Sequence, residues 1–201
     1  YGQYLDNLSE KRGIEFMGDM ALNAQLVLYF KNGEKKIIAT DTTWRCMNGA
    51  ITYSHLFGGE TYDEYKEKID WNTDFDKYDN KPVKKSDFNT LSLRPQLIEP
   101  IKIKRHIKPV SEYYVNGKHI FDFGENIAGV VKIYADGLCN GTVTFKIKHA
   151  ELTKDNGELF SEPLRGAKAE DIYIAKNGER KICYTPEFTY HGFRYAQLEI
   201  K

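Results

Sequence analysis

The chain has 201 residues with 29 basic and 29 acidic side chains, so its formal net charge is zero. No global field draws it to nucleic acid or to an anionic membrane surface, and an uncharged ligand such as a sugar suits that balance. No apolar run approaches the roughly 20 residues of a bilayer-spanning helix, and the expectation is a soluble protein with no membrane partner.

The length allows one large β-domain or two smaller ones, each able to bury a core. Tyr1 is preceded by neither an initiator Met nor a charged-then-apolar leader, so the chain reads as an excised piece and leaves secretion of its parent open. Cys46, Cys139 and Cys183 are odd in number and lack C-x-x-C spacing. That argues against a disulfide framework or a thiolate metal site and slightly favours a reducing, cytoplasmic compartment over a secreted one.

In chain order, Asp6, Asn7, Glu10, Lys11 and Arg12 form a polar loop ahead of the first clear strand. Ala24, Leu26, Leu28 and Phe30 alternate, with Val27 and Tyr29 between them, as in a central strand covered on both faces. The strand turns at Asn32-Gly33 and returns through Ile37-Ile38-Ala39. Such Asn-Gly pairs tolerate the positive φ of type I′ turns, and they recur at 48–49, 116–117, 140–141, 156–157 and 177–178, with Asp136-Gly137 of the same chemistry. The pattern predicts a mostly antiparallel β architecture. Trp44 follows a strand and is assigned to core filling, whereas Trp71 is an equal candidate for a sugar platform.

Gly58-Gly59-Glu60-Thr61-Tyr62-Asp63 opens an acid-rich stretch that continues through Glu64, Glu67, Asp70, Asp74, Asp76 and Asp79. Hard cations take six to eight oxygen ligands, so Glu60 and Asp63 are candidate ligands for Ca²⁺; the alternative is a solvated acidic surface with these two in structural pairs. Tyr62 to Trp71 approximates a helical period but is short, and it is assigned as strand or irregular structure. Thr73 to Asn89 reads as a surface loop. Prolines crowd the stretch from Leu93 through Pro109, which therefore reads as an edge or connecting strand, and a domain boundary is placed there: 1–108 and 109–201.

In the second half, Val143, Phe145 and Ile147 alternate strictly with Thr and Lys, as a strand with one buried face demands. Residues 171–174 and 180–184 flank Asn177-Gly178 and read as a hairpin. His149 is expected to bond to a strand neighbour. Two segments concentrate chemistry. Asp122-Phe123-Gly124-Glu125-Asn126-Ile127-Ala128-Gly129 combines polar groups able to cap amides or pair with Arg194 and glycines permitting unusual backbone angles; it reads as a structural clasp. Phe188-Thr189-Tyr190-His191-Gly192-Phe193-Arg194-Tyr195 is either a sugar-binding surface, through Tyr190, His191 and Arg194, or a sandwich strand whose aromatics fill the core, with Gly192 at a bend or bulge and Arg194 in a buried ion pair.

These two segments together resemble the concanavalin-like β-sandwich of bacterial α-L-rhamnosidases. Thr40-Asp41-Thr42-Thr43-Trp44-Arg45 and Gly58 to Asp63 resemble the end of the jelly-roll module preceding it, and Tyr1-Gly2 the end of a Gly-Trp-Tyr signal. The resemblance implies an all-β chain: a partial galactose-binding-like jelly roll, its upstream half missing, followed by a concanavalin-like sandwich. It further implies that an inverting acid and base belong to a catalytic (α/α)₆ barrel of the parent, which would be the partner of these modules along with a rhamnosylated glycan. Within this chain no G-x-S-x-G, H-E-x-x-H, P-loop or G-x-G-x-x-G motif occurs, and no pair of acids can be assigned as catalytic. The expected role is that of an accessory region; a calcium-assisted carbohydrate-binding module is the alternative.

Overall fold

The computed structural model describes residues 21–86, 94–139 and 141–201. The loop assigned to Asp6 through Arg12 and the Tyr1-Gly2 dipeptide lie outside these residues. Regular structure among them is β-strand, with short 3₁₀ turns at Glu64–Lys66, Phe75–Lys77 and Glu162–Leu164. The strands are Gln25–Tyr29 (β1), Lys35–Ala39 (β2), Arg45–Cys46 (β3), Ile51–His55 (β4), Gly59–Asp63 (β5), Lys81–Pro82 (β6), Ser111–Val115 (β7), Lys118–Gly129 (β8), Ile133–Cys139 (β9), Val143–Ala150 (β10), Leu152–Thr153 (β11), Leu159–Phe160 (β12), Glu170–Ala175 (β13), Gly178–Tyr184 (β14) and His191–Ile200 (β15). The all-β expectation is met.

The chain forms two compact units, one built on 49–67 and 102–201, the other on the described residues of 18–48 and 68–101. In the larger unit a seven-stranded sheet runs β4-β5-β13-β10-β15-β8-β7. All its pairings are antiparallel except β5 with β13, which is parallel. β9 and β14 form a separate antiparallel ribbon. Side chains of both fill one core: Ile133 and Ile182 and Tyr184 from the ribbon, Phe145, Ile147, Tyr173, Ala175, Phe193 and Ala196 from the sheet. The period of two explains this directly, since Phe145 and Ile147 face inward while the residues between them are more exposed. Burying such a side chain completely contributes about 1.5–3 kcal/mol.

The turn chemistry holds at some Asn-Gly pairs and fails at others. Asn32-Gly33 joins β1 to β2, Asn116-Gly117 joins β7 to β8, and Asn156-Gly157 joins β11 to β12, each an antiparallel pair. At Asn116-Gly117 both residues have positive φ, 49° and 74°, the type I′ requirement. The hairpin expected across Asn177-Gly178 does not exist. β13 pairs with β5 and β10, whereas β14 pairs with β9, so this turn carries the chain from the sheet to the ribbon. Asp136-Gly137 is likewise no turn, because it lies within β9 opposite Lys181 and Arg180. A local dipeptide permits a reversal of direction, but the partner of the next strand is chosen by where its apolar face can be buried.

In the smaller unit, β1 pairs with β2, and β3 with β6. The expectation that β1 is central is corrected: β2 is its one hydrogen-bonded neighbour among the described residues, and Leu26 and Tyr29 are exposed. Trp44 is also part-exposed, at 39%, rather than a core residue. Two acids of this unit have separate partners: Asp70 accepts from Lys77 at 2.7 Å and from Tyr78, and Asp76 pairs with Arg45. Residues 94–110 run without a strand, as a connecting segment.

Candidate functional site

The polar groups of the larger unit gather at one end of its sheet, where three core-facing rows change from apolar to titratable. On β10 the row Phe145, Ile147 continues to His149; on β13 Tyr173 and Ala175 are preceded by Asp171; on β15 Phe193 is preceded by His191. Asp171 and His149 are 0% and 1% exposed, and His191 is 4% exposed. His191 Nε2 lies 3.1 and 3.2 Å from the two Asp171 oxygens. The rings of His149 and His191 stack at 4.1 Å, and the edge of Phe193 closes the other side of His149 at 4.8 Å. His149 Nδ1 bonds the Ala169 carbonyl oxygen at 2.9 Å. Burial, reinforced by the neighbouring His191, pulls the His149 imidazole down to about 4. At neutral pH its Nδ1 therefore carries the proton.

Gly59 and Glu60 of β5 complete this end. The Glu60 amide donates to Asp171 Oδ1 at 2.9 Å. The Glu60 carboxylate, fully buried, accepts from the Tyr184 hydroxyl at 3.1 Å and from the amides of Glu187 and Phe188 at 3.0 and 3.1 Å. Burial pushes this carboxyl above its ordinary range, opposing the three hydrogen bonds, and the Asp171 charge adds to the rise. Gly59 has φ of +102°, and a Cβ there would stand 2.1 Å from the Glu170 carbonyl oxygen and 2.7 Å from Asp171 Oδ1. Only glycine lets β5 approach β13 so closely.

Next to this seam is a cleft of about 320 Å³ lined by Tyr62, Glu64, Glu67, Tyr173, Lys181 and Tyr184 among others. Its tyrosines stack on one another, Tyr173 on Tyr184 at 4.8 Å and on Tyr62 at 5.7 Å. Their hydroxyls are committed: Tyr62 donates to Glu67 at 2.7 Å and Tyr173 to Glu64, which also receives the Lys176 amide at 2.7 Å. Burial raises the Tyr62 and Tyr184 phenols, with Glu67 and Glu60 respectively adding to the effect.

The residues singled out in the sequence are distributed over these features. Glu60 is the buried acceptor just described. Asp63 accepts from the Tyr65 amide at 3.0 Å, capping the 3₁₀ turn, and lies 3.5 Å from Lys66. These two carboxylates thus serve separate partners. His191 points into the sheet-end cluster and has no face for a sugar, whereas Tyr190 beside it is 39% exposed. Arg194 donates to both Asp122 oxygens at 2.8 Å and remains 40% exposed at its side chain, a half-exposed rather than buried pair. Asp122 also accepts the Gly124 amide at 2.7 Å, and Arg194 holds its carboxyl below the usual range. The register shift on β15 falls between Phe193 and Tyr195, just after Gly192, which pairs with Ala128 of β8 while His191 pairs with Gly129. Glu125 pairs with Arg105 at 2.6 Å, and Asn126 is an exposed residue of β8. Trp71, exposed, belongs to the smaller unit. Cys46 and Cys183 are free and exposed.

Sequence reading missed Asp171 and Tyr184 because both sit in segments assigned to a hairpin. Parity was the available signal: Asp171 shares the inward face of Tyr173 and Ala175.

Residues 1–105 match the alpha-L-rhamnosidase N-terminal domain, and residues 113–201 match the bacterial alpha-L-rhamnosidase concanavalin-like domain. The chain belongs to the α-L-rhamnosidase family. It is 32% identical over 182 residues to an alpha-L-rhamnosidase of Streptomyces avermitilis, covering 89% of this chain and 17% of that protein. An alpha-L-rhamnosidase of Formosa agariphila is 33% identical over 177 residues, covering 87% of this chain and 19% of the relative. The crystal structure of the Streptomyces avermitilis enzyme complexed with L-rhamnose superposes with a TM-score of 0.80 at 30% identity, over 88% of this chain and 17% of that one. The chain thus spans about a fifth of the length of these relatives. β5, from the segment matching the N-terminal domain, hydrogen-bonds to β13 of the concanavalin-like segment.

Proposed function

We propose that this chain is an accessory, non-catalytic β-region of an α-L-rhamnosidase, dividing near residue 108, which braces the catalytic (α/α)₆ barrel of the parent and helps present rhamnosylated glycans to it. The parent would remove terminal α-L-rhamnose with inversion. The observation that carries this reading is the commitment of the buried acids. A glycosidase needs two opposed carboxyl groups free to reach the scissile bond, roughly 5–9.5 Å apart. Glu60, Glu64 and Asp171 instead spend their oxygens on amides, tyrosine hydroxyls and an imidazole within the fold. Such groups are structural acceptors, not acids waiting for a substrate.

Two measurements test the proposal. The 201-residue chain should release no p-nitrophenol from p-nitrophenyl α-L-rhamnoside; turnover would place the chemistry inside it. Affinity electrophoresis through rhamnogalacturonan should leave a pure brace unretarded, whereas retardation would move the role to carbohydrate binding.

A further inference from the structure

The buried cluster at the end of the larger sheet contains a polar atom that nothing among the described residues satisfies. His149 Nε2 is buried and has no hydrogen-bond partner. It lies 3.8 Å from Asp171 Oδ2, too far for a hydrogen bond. Because Nδ1 bonds the Ala169 carbonyl, the neutral ring keeps its proton there and presents a bare lone pair at Nε2. That lone pair shares its pocket with a fully buried carboxylate. Asp171 already accepts the Glu60 amide and lies against His191, so what the pocket leaves unengaged is that lone pair, which a cation held beside the carboxylate would satisfy.

We propose that His149, Asp171 and His191 form a structural site for a divalent transition metal of the zinc class. One ligand atom from each lies within 4.8 Å of the other two. A tetrahedral ion with bonds of about 2.0–2.1 Å sets its ligands about 3.3 Å apart. Asp171 Oδ2 lies 3.2 Å from His191 Nε2, which fits that edge, and 3.8 Å from His149 Nε2, a gap that closes with a small rotation of the carboxylate. Two imidazoles and one carboxylate are a borderline-soft set, which selects zinc-like ions over calcium or magnesium. The orienting contacts are also present: the Ala169 carbonyl fixes the tautomer of His149, and the Glu60 amide holds Asp171. His191 would coordinate through Nε2 as the Nδ1–H tautomer. β5, β13, β10 and β15 are consecutive in the sheet, so an ion here would staple the parallel seam to the two strands beyond it.

The site is tested on the whole 201-residue chain, unfolded in chelator and refolded with Zn²⁺ or Co²⁺. About one ion should be retained per chain after dialysis, with a higher melting temperature than the metal-free form. With Co²⁺, proton NMR should show a hyperfine-shifted exchangeable signal from the His149 Nδ1–H, sheltered by Ala169. His149→Phe preserves the ring stack and should weaken retention at least about tenfold. Should that variant not fold, the cobalt-shifted imidazole signal of the unmodified chain decides alone. Refolded chain retaining no metal, or retaining it without that signal, overturns the proposal, as does unaltered binding by a folded His149→Phe.

Discussion

Two ion-bearing strand pairs of the larger unit solve the same problem differently. At the β8–β15 pair, Asp122 and Arg194 meet in a two-pronged bond with the arginine half in water. At the β5–β13 seam, Glu60 and Asp171 are sealed from solvent and satisfied by amides, a tyrosine and a histidine. A solvated pair gains little because water competes for both charges. A sealed carboxylate is indispensable where it stands, because removing either it or its donors strands polar groups that water cannot reach. The seam should therefore be brittle and the clasp forgiving.

The sharpest challenge to that contrast is Gly59→Ala. The added carbon would collide with backbone and with the Asp171 carboxylate, at a φ that L side chains avoid. A loss above about 4 kcal/mol is expected in urea unfolding of the chain, or no folded protein at all. An unchanged midpoint would show that β5 need not approach β13 so closely.

Glu60 comes next, and two substitutions separate charge from hydrogen bonding. Glu60→Ala leaves a tyrosine hydroxyl and two amides without their acceptor, and about 3 kcal/mol should be lost. Glu60→Gln retains a carbonyl oxygen for the two amides and removes a carboxyl that burial already disfavours in its charged form, so the loss should stay near 1 kcal/mol or below. Equal losses in the two variants would mean that the charge itself is needed. Tyr184→Phe, which keeps the ring stack and deletes one donor, should lower stability by about 1 kcal/mol by the same assay.

Legibility in the sequence follows the same division. The alternation of Val143, Phe145 and Ile147 was visible because one-sided burial writes itself as a period of two. The clasp of Asp122 with Arg194 was foreseeable from two composition-rich segments. The eight residues from Phe188 to Tyr195 were conspicuous but ambiguous: His191 and Phe193 point inward while Phe188 and Tyr190 remain part-exposed, an outcome decided by register against β8. The seam was least legible. Glu60 resembled one more member of an acidic run, and its true partners, Tyr184, Glu187 and Phe188, lie more than 120 residues away. Asp171 and Tyr184 were hidden by the hairpin assigned between β13 and β14. Strand pairing between a parallel neighbour and a separate ribbon is a property of the whole packing, which no turn dipeptide encodes.

The smallest effect belongs to the clasp, and its pH dependence gives the contrast a sign. Arg194 holds the Asp122 carboxyl below its ordinary value, so the native state binds that proton less tightly than the unfolded chain does. The contribution of the pair is then fully present above about pH 4 and fades as the pH falls through the lowered native value. Asp122→Asn should reduce the melting temperature at neutral pH by only about 2 °C, since solvent reaches the guanidinium and the amide still accepts a hydrogen bond. The gap between wild type and variant should narrow steadily in scans taken at successively lower pH below 4. A gap that widens on acidification would require a raised carboxyl and an Asp122 that donates rather than accepts.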